Sequence, residues 1–138
     1  MIMCDNRTTK VFDLALLEKI SLYLSEKEVE LILTDDREIA AINLSMRGFD
    51  KATDVLSFPL EPLPTFPLGS IMISVDRVEA VASELGHSED EELALLFIHG
   101  MLHLLGYDHE VDDGQMREKE QAVIAHFLLP ESLIVRNG

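Results

Sequence analysis

The sequence predicts an α+β domain, in which a small mixed β-sheet packs against a buried central helix with further helices on its flanks. Short apolar segments that are partly β-branched alternate with longer segments of helical periodicity, in the order α-β-α-β-β-α-α-α. The segment from Leu93 to Leu105 is apolar nearly all round, which is typical of a helix buried in a protein core. These two observations together indicate the fold class.

The first half of the chain supplies two predicted helices and the strand between them. The segment VELILTD is short and apolar, which favours a strand, and Thr34 or Asp35 can cap a helix from about Asp36 to Met46. The helix before the strand lies in VFDLALLEKISLYL, where apolar residues recur at helical spacing: Val11, Leu14, Leu17, Ile20 and Leu24. The apolar candidates of the second helix are Ile39, Ile42 and Leu44.

Two further strands follow. TDVLSFPL reads as a strand that ends at Pro59, because proline cannot donate to a sheet ladder, and SIMISV has a similar character. The segment EPLPTFPLG between them holds three prolines and a glycine, so it is predicted to be a loop.

The second half of the chain is predicted to be helical. DRVEAVASEL is amphipathic and is closed by Gly86 as a left-handed cap. Ser88 with Glu91 three residues later forms a capping-box signature at the start of the central helix, for which Gly106 is the natural end. The last helix is predicted from about Gln115 to Phe127.

Composition limits the class of protein. The chain has 138 residues, which predicts a single domain over 1–138. Its formal net charge of -15, from 26 acidic and 11 basic side chains, argues against broad adhesion to nucleic acid or anionic membranes. Cys4 is the single cysteine, and the first ten residues lack the apolar core of a signal peptide. We expect a soluble cytoplasmic protein that binds neither membranes nor DNA.

The segment HGMLHLLGYDH places three histidines within eleven residues of the predicted core. His99 and His103 are four residues apart, so their rings share one helix face, and Gly106 permits a turn that returns His109 towards them. Three neutral imidazoles leave one position of a tetrahedral metal ion open for water, as in catalytic sites. We expect a divalent transition metal here, zinc in the first place with nickel as an alternative.

Other interpretations of this segment stay open. Single buried histidines are more often core residues that bond to the backbone. The spacing also equals that of the metzincin protease motif, but Gly100 stands where those proteases have their glutamate base. Asp108 fits two roles equally, either orienting a ligand imidazole or stabilising the turn.

Three stretches of the chain resemble the YbeY family of bacterial rRNA maturation factors, which are single-strand-specific endoribonucleases. HGMLHLLGYDH matches the family motif without departure, and NLSMRGFDKATDVLSFP and LGSIMIS resemble two further family stretches. Two positions depart from the usual pattern: Ser70 replaces an aspartate, and Ala52 replaces a frequent proline. The similar stretches together lie between Asn43 and His109.

The resemblance implies a metal-dependent endoribonuclease that acts in ribosome assembly and in maturation of the 3′ end of 16S rRNA. His99, His103 and His109 would hold the metal and its catalytic water. Arg47 would lie in the cleft that faces the metal and bind substrate phosphate, although in isolation it reads as a surface arginine at a helix end. The resemblance further implies single-stranded RNA as substrate, and a small-subunit ribosomal protein and an assembly GTPase as partners.

The sequence is also compatible with two other functions. The protein could be a non-catalytic assembly factor with a structural metal, which the acidic charge favours. It could also be a metallopeptidase-like hydrolase that uses the same ion, although Gly100 argues against the usual protease chemistry.

Overall fold

A computed structural model describes residues 1–108 and 110–130 of the chain. It confirms the predicted α+β class, with a mixed sheet and flanking helices around a buried central helix. In chain order the described elements are β1 (Ile2–Asn6), α1 (Ala15–Leu24), β2 (Val29–Thr34), α2 (Asp36–Arg47), β3 (Val55–Pro59), β4 (Gly69–Ser74), α3 (Val75–Leu85), α4 (Glu89–Leu104) and α5 (Gln115–His126).

The sheet has the strand order β1-β2-β4-β3. The pairs β1–β2 and β2–β4 are parallel, whereas β3 runs antiparallel to β4 at one edge. The strand β3 follows α2 in the chain and joins β4 by the proline-rich loop. This arrangement lays the edge strand β3 alongside α4, with which it is in extensive contact.

The two faces of the sheet are covered differently. Ile71 of β4 faces α4 at Gly100, so its neighbour Met72 points to the opposite face because side chains alternate along a strand. There Met72 packs with Ile32, Leu56 and Ile39 of α2 in a small second core. The larger core surrounds α4, whose residues from Glu92 to Leu102 are all buried. The central helix is therefore held against the sheet.

The N-terminal segment differs from the sequence prediction. The strand β1 was not predicted, because IMCDN lacks a continuous apolar or alternating pattern and most of its side chains are exposed. Its backbone nevertheless pairs in parallel with β2, in a register that places Ile2 opposite Val29. Helix α1 begins only at Ala15, and Val11, predicted for its apolar face, is 91% exposed.

The ends of α4 confirm the predicted signals. The Ser88 hydroxyl accepts from the Glu91 N–H at 3.0 Å, and the Glu91 carboxylate accepts from the Ser88 N–H at 2.9 Å. These two bonds satisfy backbone donors that the first turn of a helix otherwise leaves without partners. After Leu104 the chain turns at Gly106, whose φ of 99° is accessible to glycine at little cost. In the described part of the chain, none of the helices has the length and apolar character needed to cross a membrane.

Candidate active site

Helix α4 places two histidine rings side by side. The Nε2 atoms of His99 and His103 are 3.2 Å apart, and the ring centroids are separated by 4.8 Å with the rings nearly perpendicular. His99 is buried, with 8% of its surface exposed, whereas His103 is half-buried. The spacing of four residues therefore places both rings on one face of the helix, with the two Nε2 atoms close together.

The second nitrogen of each ring contacts an acceptor. Nδ1 of His99 lies 3.0 Å from the carboxylate Oε2 of Glu120, and Nδ1 of His103 lies 3.0 Å from the backbone carbonyl of Tyr107. A carboxylate or carbonyl oxygen can only accept a hydrogen bond, so in each neutral ring these partners assign the proton to Nδ1. The two Nε2 atoms are then the lone-pair nitrogens of both rings.

This donor arrangement fits a metal ion. The two Nε2 atoms lie 3.2 Å apart, so with both ring protons on Nδ1 their lone pairs can bind one cation together. Two imidazole nitrogens on one tetrahedral zinc ion, each at about 2.0–2.1 Å, lie about 3.3 Å apart. The carboxylate behind His99 is also the usual outer partner of a metal-binding histidine, since it fixes the tautomer and raises ligand basicity.

Glu120 is the site residue that the sequence analysis missed. It lies on α5, and none of its surface is exposed. The sequence did contain a signal for Glu120. It shares the buried face of α5 with Met116, Val123 and Ile124. A glutamate within such an apolar face needs a polar partner in the interior. The identity of that partner depends on how α5 packs on α4, which the spacing does not reveal.

The predicted third ligand, His109, lies outside the described residues. Within residues 1–108 and 110–130, no group of three or more His, Cys, Asp or Glu side chains is arranged to hold a metal ion. Immediately before it, the carboxylate of Asp108 accepts from the Glu110 N–H at 3.0 Å, which supports the turn role for this aspartate. Tyr107 packs on the main core. The role of His109 as ligand stays a prediction.

Gly100 faces the sheet. A Cβ atom at this position would lie 2.9 Å from Cγ2 of the buried Ile71, closer than ordinary packing allows. The Ser57 hydroxyl of β3 also bonds to the Gly100 carbonyl at 3.3 Å. A side chain at the position of the protease glutamate would therefore point into the core, which weakens the metallopeptidase alternative.

Arg47 is the last residue of α2 and is exposed. Its guanidinium carbon lies 5.4 Å from the centre of the Phe49 ring. Asn43, one helical turn earlier, is buried, and its amide donates to the Lys51 carbonyl at 3.0 Å. Arg47 therefore lies where α2 ends and the loop to β3 begins, beside the Phe49 ring. Its binding of substrate phosphate stays a prediction.

Ser70, where the family pattern usually has aspartate, points away from the histidines. It precedes Ile71, which faces α4, so the Ser70 side chain lies on the other face of the sheet. There its hydroxyl donates to the Glu30 carboxylate at 2.7 Å on the neighbouring strand. The departure at this position therefore leaves the histidine pair unchanged.

An α+β domain with two oriented histidines on its buried helix has two of the three imidazole donors that a three-histidine metallohydrolase uses. The family model described as Endoribonuclease YbeY matches residues 3–128 of the chain. The chain belongs to this family, which confirms the resemblance found in its motifs.

Individual relatives agree with this assignment. A protein of Nautilia profundicola is 58% identical over 99% of this chain and 99% of its own length, and one of Wolinella succinogenes is 60% identical over 99% and 97%. Both are named Endoribonuclease YbeY. A Thermotoga maritima protein of known solution structure is similar with a TM-score of 0.62 and 32% identity, over 93% of this chain and 92% of that protein.

Proposed function

We propose that the protein is a single-strand-specific, metal-dependent endoribonuclease that acts in ribosome assembly and in maturation of the 3′ end of 16S rRNA, in the cytoplasm. The observation that carries the proposal is the convergence of Nε2 of His99 and His103, each ring fixed from behind by an acceptor. Membership of the YbeY family supports RNA as the substrate. The whole chain, 1–138, would act as one such domain.

His99, His103 and His109 would hold one divalent metal ion, with zinc expected and nickel as the alternative. When bound to imidazole ligands, such an ion supplies an activated water at neutral pH and a positive charge beside the phosphate. Glu120 keeps the His99 proton on Nδ1, and the Tyr107 carbonyl does the same for His103. These two acceptors therefore hold both Nε2 atoms ready for the ion before it binds.

Arg47 would bind the scissile phosphate. A guanidinium can form two parallel hydrogen bonds to phosphate oxygens, and its positive charge offsets the charge that builds up on a pentacovalent phosphorus. Because Arg47 is exposed at the end of α2, its side chain can leave the Phe49 ring without disturbing the core.

The charge balance supports a requirement for partners. With 11 basic residues against 26 acidic ones, the field around the protein repels RNA, so binding by the isolated chain would be weak and salt-sensitive. A small-subunit ribosomal protein and an assembly GTPase are the proposed partners, and they would bring the enzyme to its rRNA. DNA and membranes are not proposed as ligands.

The test uses a defined single-stranded RNA, a duplex of the same sequence, and protein with or without chelator. Wild type, His103→Ala and His126→Ala are purified in parallel, because His126 is an exposed histidine at the far end of α5 and serves as the matched control. We expect cleavage of the single strand by wild type and His126→Ala, loss with chelator or His103→Ala, and slower cleavage of the duplex.

Other outcomes identify the rivals. Equal cleavage by wild type and His103→Ala would point to a contaminating nuclease. If neither cleaves RNA even with the ribosomal small subunit and candidate partners, the protein is better described as an assembly factor. Chelator-sensitive peptide cleavage without RNA cleavage would support a metallopeptidase.

A further inference from the structure

Phe49 is an exposed aromatic ring with two cations beside it. It lies in the loop between α2 and β3, and 50% of its surface is exposed. The Arg47 guanidinium carbon is 5.4 Å from the ring centre and the Lys51 ammonium nitrogen is 5.9 Å from it. Both distances lie within the range of cation–π attraction.

Two basic side chains share one exposed ring here, although Asp50 lies between Phe49 and Lys51 in the same loop. The whole protein has 11 lysines and arginines against 26 acids, yet two of the basic side chains converge on one exposed ring. Surface arginine and lysine in an acidic protein more commonly pair with carboxylates, as Arg7 does with Asp5 and Glu38. A ring with two cations beside it combines an apolar surface with two donors for anions.

The loop that carries Phe49 is anchored at both ends. Gly48 ends α2 in the left-handed conformation, with φ of 79°, and its N–H donates to the Leu44 carbonyl at 3.0 Å. Beyond the ring, the buried Asn43 amide donates to the Lys51 carbonyl, and Ala52 packs on the second core. The ring is therefore presented at a defined place on the surface.

The strand that follows this loop is bonded to the helix that carries the histidine pair. The loop continues into β3, where Ser57 bonds to the carbonyl of Gly100, the residue after His99. This bond joins the strand that follows the Phe49 loop to the helix of the histidine pair, so we expect one RNA strand bound at the histidines to extend towards Phe49.

We propose that Phe49 stacks on the base next to the cleavage site of the single-stranded RNA substrate, while Arg47 binds the scissile phosphate on one side of that base and Lys51 binds the phosphate on the other side. This inference rests on the proposed function, since it assigns a binding residue for the same substrate. Hydrogen bonds from a cation to phosphate are stronger than exposed cation–π contacts, so the two side chains turn to the RNA and leave the ring face to the base. A duplex keeps its bases paired and stacked, and thus cannot offer one to the ring.

The first experiment uses the absence of tryptophan from the chain. Phe49→Trp introduces the single tryptophan at the proposed stacking position, and Phe66→Trp introduces it at another exposed phenylalanine, in the loop between β3 and β4. Each variant is titrated with an eight-nucleotide oligoadenylate, a duplex of equal length and inorganic polyphosphate. We expect saturable quenching only for Phe49→Trp with the single strand, because stacking with a base quenches indole emission and phosphate does not.

The second experiment measures the aromatic contribution without changing charge. Phe49→Leu keeps an apolar side chain, and loss of one base–aromatic stack should weaken single-strand binding or raise KM about tenfold, with kcat nearly unchanged. Phe66→Leu should change neither. Equal quenching by polyphosphate, or an unchanged KM in Phe49→Leu, would overturn the proposed stacking on Phe49 while leaving the proposed endoribonuclease intact. Quenching by single strands without any chelator-sensitive cleavage would contradict the proposed function alone.

Discussion

Glu120 and His99 lie on different helices, 21 residues apart, and meet through a 3.0 Å contact between Oε2 and Nδ1 in the protein interior. A carboxylate with none of its surface exposed is costly unless polar partners compensate for the lost hydration. The contact thus ties α5 to α4 and determines which nitrogen of His99 faces the candidate metal centre. Glu120 therefore links the packing of the two helices to the orientation of a predicted metal ligand.

Replacement of Glu120 should therefore weaken metal binding. Glu120→Gln preserves the shape and an acceptor oxygen but removes the negative charge that makes His99 a better ligand. We expect zinc affinity to fall about 10- to 100-fold, the usual effect of losing an outer partner. A competition titration with a chromophoric chelator measures the affinity, and circular dichroism checks that the fold is retained.

Glu118→Gln is the matched control, since Glu118 is an exposed glutamate on the same helix. Its zinc affinity should equal that of wild type. If Glu120→Gln retained wild-type affinity with an intact fold, the contact with His99 would be structural only.

The histidine pair was predictable because both residues lie on one helix, where spacing alone determines the shared face. The same holds for the capping box at Ser88 and the glycine cap at Gly86, which are local signals that the structure confirms. Glu120 escaped prediction because its partner is set by the packing of two helices. The strand β1 was also missed, because it is stabilised by backbone hydrogen bonds to β2. Its mostly exposed side chains form no pattern that indicates this pairing.

Metal content tests the predicted ligands directly. Wild-type protein should contain close to one transition-metal ion per chain by elemental analysis, and His103→Ala should lose most of it because one of the two converging Nε2 donors is removed. The same loss is expected for His99→Ala and His109→Ala. Full stoichiometry in His103→Ala would rule out the assignment, and His126→Ala should retain the metal throughout.

Arg47 should affect activity without affecting stability. Its exposed side chain contributes little to folding, so Arg47→Ala should leave the melting temperature and metal content unchanged. RNA cleavage should fall on the order of 100-fold if the guanidinium stabilises charge in the transition state. Arg47→Lys should restore only part of the rate, because an ammonium cannot form the paired hydrogen bonds.

Arg37→Ala provides the comparison, since Arg37 is an exposed arginine near the start of the same helix. It should cleave RNA at nearly the wild-type rate. A clear drop in melting temperature for Arg47→Ala, with cleavage reduced only in proportion to the folded fraction, would assign Arg47 a structural role.

Gly100→Ala should destabilise the protein, although alanine favours a helix over glycine by about 1 kcal/mol. The added methyl group would lie 2.9 Å from Cγ2 of Ile71, which is attached directly to Cβ and cannot move aside without a change of rotamer in a close-packed core. Overpacking of this kind costs about 1–3 kcal/mol, so we expect a net loss of about 1 kcal/mol in the free energy of unfolding, measured by urea denaturation. In an Ile71→Ala background the clash disappears, and Gly100→Ala should then be neutral or stabilising. Equal destabilisation in both backgrounds would contradict this explanation, because the contact with Ile71 would then not be the reason for glycine at position 100.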